Sequence, residues 1–85
     1  MTRGDKLLAR MRANPRGWRI EDVGTLCRAF GMDFSRPSGG SHYGISHPSQ
    51  IRHLTVPFAR PIKPIYIRHL VRFVDAVLVA REENR

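Results

Sequence analysis

At Gly31 the spacing of apolar residues changes period, and that switch constrains the chain more than any other feature. Before it, Ile20, Val23, Leu26, Cys27 and Phe30 recur at three- and four-residue intervals, the repeat of one face of an α-helix. Glu21 and Asp22 stand in the first turn, where the helix dipole favours anions. Arg28 stands near the end, and Gly31 is placed to close the helix in the left-handed conformation. After it, Met32 and Phe34 alternate with Asp33 and Ser35, the repeat of a short strand with one covered face.

The alternation returns twice. Pro37-Ser38-Gly39-Gly40 is a turn cluster, and Ser41 to Ser46 then puts Tyr43 and Ile45 on one face and His42, Gly44 and Ser46 on the other. His47-Pro48-Ser49-Gln50 makes a second turn. Arg52, Leu54, Val56 and Phe58 then alternate with His53, Thr55 and Pro57. Three strands joined by short turns predict an antiparallel meander that must be covered on one face by helices.

Two further helices are expected. Leu7, Leu8 and Met11 share a face of a segment from Asp5 to Ala13, with Thr2 and Asp5 spaced for a capping box and Asn14 to Gly17 as the break. Past the loop Ala59 to Lys63, Pro64 opens a last helix with Ile67, Leu70, Val71, Val74, Val77 and Leu78 as its apolar stripe. The charged end, Arg81 to Arg85, is expected to fray. The class is therefore α+β, in the order α-α-β-β-β-α, with a three-stranded antiparallel sheet and helices on one face. That layout is like a double-stranded-RNA-binding domain. Residues 1–17 read as a helical extension, 18–80 as the domain and 81–85 as a tail.

At 85 residues this is one domain, too small to enclose a large substrate pocket. The formal charge is +8, and 13 of the 15 basic residues are arginine, whose planar fork grips phosphate and stacks on bases. A field of that density attracts polyanions, nucleic acid first among them; the bland alternative is a solvated basic surface. No segment is long enough to span a membrane, and arginine interrupts the apolar patch at the N-terminus, so no signal peptide and a cytoplasmic location are expected. Cys27 is the only cysteine; its place in the helical stripe makes it a buried, inert thiol.

Gly39-Gly40-Ser41-His42 is the most informative stretch. If Tyr43 and Ile45 face the helices, His42 projects from the open face, and the glycines before it let a polyanion approach the backbone. An imidazole offers both protonation states near neutral pH, so it suits proton abstraction from a ribose 2′-hydroxyl. On spacing alone a single strand histidine is more often plain surface. His47, before proline, reads as a turn cap; His53 shares the face of Thr55, towards His42; His69 reads as solvated. No pair has zinc spacing, carboxylates are scarce and no phosphate-binding loop is present, so no metal or other cofactor is expected. Arg36, Arg52, Arg60 and Lys63 flank the proposed site in sequence and, with Gly39, Gly40 and Ser41, are the expected phosphate contacts.

Gly40-Ser41-His42, His47-Pro48, Leu54-Thr55-Val56-Pro57 and Ile62-Lys63-Pro64 resemble, in order and spacing, the HicA toxins of bacterial toxin–antitoxin pairs. The stretch from Leu26 to Phe34 is similar to that family's helix ending in glycine and the strand after it. The resemblance runs from about Trp18 to Val77. It implies a double-stranded-RNA-binding fold, metal-independent cleavage of messenger RNA with His42 as the active-site residue, and a HicB antitoxin as partner. Tyr43 stands where many members carry a second histidine, Gly44 where an aliphatic residue is usual, and Ser46 where a basic residue is common. Two other functions fit the residues: a non-catalytic RNA-binding module using the same basic face, and an interaction protein docking an acidic partner.

Overall fold

The computed structural model describes residues 2–36 and 40–84. The first helix, α1, covers Arg3–Ala13. It starts ahead of the expected Asp5 because Thr2 caps it. The Thr2 hydroxyl accepts from the Asp5 backbone N–H at 3.1 Å, and the Asp5 carboxylate accepts from the Thr2 N–H at 3.1 Å. The Thr2 backbone N–H, and after it the Thr2 hydroxyl donating to the same carboxylate at 2.9 Å, hold the Asp5 carboxyl below the usual carboxylate range. Gly17, at φ 79°, turns the chain, and the indole N–H of Trp18 donates to the Asn14 carbonyl at 2.6 Å.

Helix α2, Ile20–Ala29, opens with the Arg19 N–H donating to the Asp22 carboxylate at 2.9 Å. It closes at Gly31, φ 67°, as the change of period predicts. The Met32 N–H reaches the Cys27 carbonyl at 2.9 Å and the Gly31 N–H reaches the Arg28 carbonyl at 3.4 Å, the paired bonds of a left-handed stop.

Strands β1 (Asp33–Ser35), β2 (His42–Ser46) and β3 (Leu54–Pro57) form one antiparallel sheet in the order β1-β2-β3. Phe34 lies opposite Ile45, which lies opposite Leu54; Tyr43 lies opposite Val56; His42 lies opposite Pro57. Residues directly opposite share a face, so Phe34, Tyr43, Ile45, Leu54 and Val56 point one way and His42, Gly44, Ser46, Thr55 and Pro57 the other. The third strand is shorter than its alternation predicts. Ile51, 99% exposed, and Arg52 lie in a bend, because the ladder stops where β2 ends and leaves them no partner.

Helix α3, Pro64–Glu83, packs on β3 while α2 packs on β1. Helix α1 contacts α2 and α3 instead of the sheet, and its Leu8 and Met11 are buried in the same core as Ile45, Val56, Ile67 and Leu70. An ion pair fastens α1 to α3: the Arg12 guanidinium donates to both Asp75 oxygens, at 2.9 and 2.7 Å. The C-terminal tail differs from expectation. Residues 81–83 continue α3, and the Arg81 guanidinium donates to the Phe30 carbonyl at 3.4 Å, tying the last turn to the end of α2. Among the described residues no helix is long and apolar enough to cross a membrane.

Candidate functional site

His42 opens β2, and its side chain is exposed on the face that no helix covers. The neighbour that shows why is Ile45, fully buried three residues on: strand alternation turns the two in opposite directions. Among the described residues nothing hydrogen-bonds to the exposed imidazole. The pairing extends one residue beyond the strands, with the Phe58 N–H donating to the Ser41 carbonyl at 2.6 Å. The backbone beside His42 is therefore fixed even though its ring is not.

Three arginines gather elsewhere. On the helical side of the same end of the sheet, α2 and the strands leave an open groove of about 490 Å³. Ile20, Glu21, Gly24, Thr25 and Arg28 form one wall; Phe34, Arg36, Tyr43, Phe58 and Arg60 form the other. A smaller hollow of about 170 Å³, lined by Arg36, Gly40, Ser41, Tyr43 and Phe58, leads from it to the residue before His42. Arg36, Gly40, Ser41 and Arg60 thus come together as expected, but around the groove and its edge. The His42 ring is on the opposite face, with the strand between.

The remaining expected contacts are dispersed. Arg52 precedes β3 at the Ser46 end of the meander, away from His42, because Leu54 already pairs with Ile45. The same register moves His53 to that far end, which corrects the expectation that it approaches His42. Lys63 is exposed at the N-cap of α3, without a side-chain capping bond, and does not line the groove. Gly39 lies outside the described residues, as does the turn it shares with Pro37 and Ser38. His47 is a turn residue: its Nδ1 accepts from the Ser49 N–H at 3.0 Å.

Sequence patterning missed the aromatic wall. It assigns Tyr43 to the covered face, which is correct, but that face is not covered at this end. Tyr43 is half-buried, stacked on Phe34 with ring centroids 5.1 Å apart and planes 8° apart. Phe58 lies 6.2 Å from Tyr43 and is 45% exposed, with the Arg60 guanidinium 5.6 Å over its ring. The available signal was three aromatics at positions that an antiparallel register brings side by side. Cys27 is buried, and that burial pushes its thiol up to about 12, so it is protonated at neutral pH. Among the described residues no group of three or more His, Cys, Asp or Glu is placed to hold a metal ion.

No family model matches the chain, and neither do any curated proteins or solved structures with which it was compared.

Proposed function

We propose that this protein is a metal-independent endoribonuclease of the HicA kind, with His42 as general base. The observation that carries the reading is an exposed imidazole on the uncovered face of the sheet, one residue along from Ser41, which lines a hollow with Arg36 on the other side of the strand. Set apart from α1, the order of helix, three-stranded meander and helix is that of a double-stranded-RNA-binding domain, which supports the same reading.

The chemistry follows from what an unencumbered imidazole does beside a ribose. A neutral ring nitrogen takes the proton of the 2′-hydroxyl, and the freed oxygen attacks the adjacent phosphorus. The bond to the 5′-oxygen breaks, and that oxygen takes a proton from solvent. The products are a 2′,3′-cyclic phosphate and a 5′-hydroxyl, and the imidazolium returns its proton to water. DNA lacks the nucleophile and is spared. In this reading the chain is a cytoplasmic toxin acting on messenger RNA, and a HicB-type antitoxin neutralises it by covering the His42 face.

Induced expression is expected to arrest growth. His42→Ala should relieve the arrest and slow RNA cleavage by about 10²–10⁴-fold, the usual contribution of a general base. Because the ring is exposed, thermal stability should not change. Cleavage that persists in His42→Ala refutes the assignment.

The groove favours a second reading on its own account. The guanidiniums gather on the face away from His42, which suits a binding module whose histidine takes no part in chemistry. RNA binding without cleavage by the wild-type protein is the outcome that selects it.

A further inference from the structure

We propose that the groove between α2 and the strands is a nucleobase subsite, in which one unpaired base of a single-stranded nucleic acid stacks on Phe58 while Arg36 and Arg60 hold its phosphates. The inference rests on the nucleic-acid part of the reading above and is independent of cleavage.

The wall is built of flat apolar surface that the fold leaves uncovered. Phe34 and Tyr43 lie almost parallel and continue outward to Phe58. Packing accounts for the first two, since both rest against the core. It does not account for Phe58, which is 45% exposed and whose ring neighbours among the described residues are Tyr43 and a guanidinium. At the floor of the groove Gly24 lets α2 sit directly on the Phe34 ring: a Cβ there would come within 3.2 Å of that ring and 3.4 Å of the Arg28 guanidinium.

Charge selects the occupant. Among the described residues the groove has the guanidiniums of Arg28, Arg36 and Arg60 against the single carboxylate of Glu21, so it suits a ligand with a flat face and an anionic backbone. It is an open trough, not an enclosed cavity, which fits one unit of a polymer passing through. A paired base cannot reach the wall without leaving its stack, so the ligand is single-stranded. When the base enters, the Arg60 guanidinium gives up its place over Phe58 and turns to the phosphate. The hollow at Gly40 and Ser41 then leads the backbone over the strand edge towards His42.

The probe is a labelled 2′-O-methyl RNA of about twelve nucleotides, within the reach of one single-strand-binding fold and uncleavable because its 2′-oxygens carry no proton. Fluorescence anisotropy at fixed ionic strength compares wild type, Phe58→Ala and Phe58→Tyr. Phe58→Ala should weaken binding about 5- to 150-fold, the loss of one base stack, while Phe58→Tyr should stay within about twofold. A strand of abasic units should bind wild type no better than the intact strand binds Phe58→Ala. Unchanged affinity in Phe58→Ala, equal binding of the abasic strand, or equal competition by polyglutamate would overturn the subsite. Failure of the nuclease reading has a different signature, namely unmodified RNA left intact by wild type while the Phe58 dependence persists. Because Phe58 is half outside the protein, a folding defect is not the expected cause of a loss, and an unchanged melting temperature excludes it.

Discussion

His42 and Tyr43 are consecutive residues that serve opposite sides of the molecule, because a strand turns successive side chains to alternate faces. One carries the proposed proton transfer, and the other backs the aromatic wall. Another residue-level feature is testable without any ligand. The hydrogen bond from Arg12 holds the Asp75 carboxyl below the usual carboxylate range. The stability it contributes is therefore present above the ordinary carboxylate value and is lost as pH falls through the lowered one. Both side chains are about half exposed, so the pair is screened by solvent. Asp75→Asn should cost roughly 0.2–1 kcal/mol in urea unfolding at pH 7. That difference should narrow and vanish in acid; a gap of equal size at low pH would mean the ion pair is not its source.

Among the elements, α1 lies before the stretch that carries the family resemblance, and it packs with the rest: Leu8 and Met11 are buried in the common core and Arg12 is paired to α3. Its close approach to α2 depends on Gly4. A Cβ there would come within 2.7 Å of the Ala29 Cβ, and neither methyl can rotate away. Gly4→Ala should therefore destabilise the protein by about 1–3 kcal/mol, as overpacking does, despite alanine's better helix propensity. Pairing it with Ala29→Gly should recover part of the loss in a double-mutant cycle; additive losses would place the cost elsewhere. The remaining elements were largely legible. The caps at Thr2 and Gly31 are interactions between residues a few positions apart, so their spacing in the chain already specifies them. The length of β3 was not legible, because it depends on where pairing with β2 stops, at Ile45 and Leu54, and the pattern of Arg52 and His53 contains no information about that.

For the molecule as a whole, the excess of arginine makes polyanion affinity a matter of salt. Binding of the 2′-O-methyl strand should fall steeply with ionic strength, on a log–log slope of about 0.7 for each phosphate neutralised. Arg36→Ala and Arg60→Ala should each flatten that slope by about 0.7, whereas Arg52→Ala, at the far end of the meander, should leave it unchanged. Equal effects of all three would indicate a diffuse field with no groove-specific contact. Composition alone could announce the polyanion but not its path. Arg60 is far along the chain from Arg28 and Arg36, and only the packing of α2 beside the sheet sets all three around one trough.

What the chain's order of residues determined by itself was local: the change of period at Gly31, the helix caps, the alternation that exposes His42, and the burial of Cys27 in a helical stripe. Each depends on neighbours within one or two turns, where covalent geometry leaves few choices. Tertiary structure decided the rest: α1 joining the core, the aromatic wall staying open, and Arg28, Arg36 and Arg60 falling on the face opposite the imidazole. Those outcomes depend on where α2 and α3 come to rest on the sheet, which is settled by contacts between residues distant in the chain.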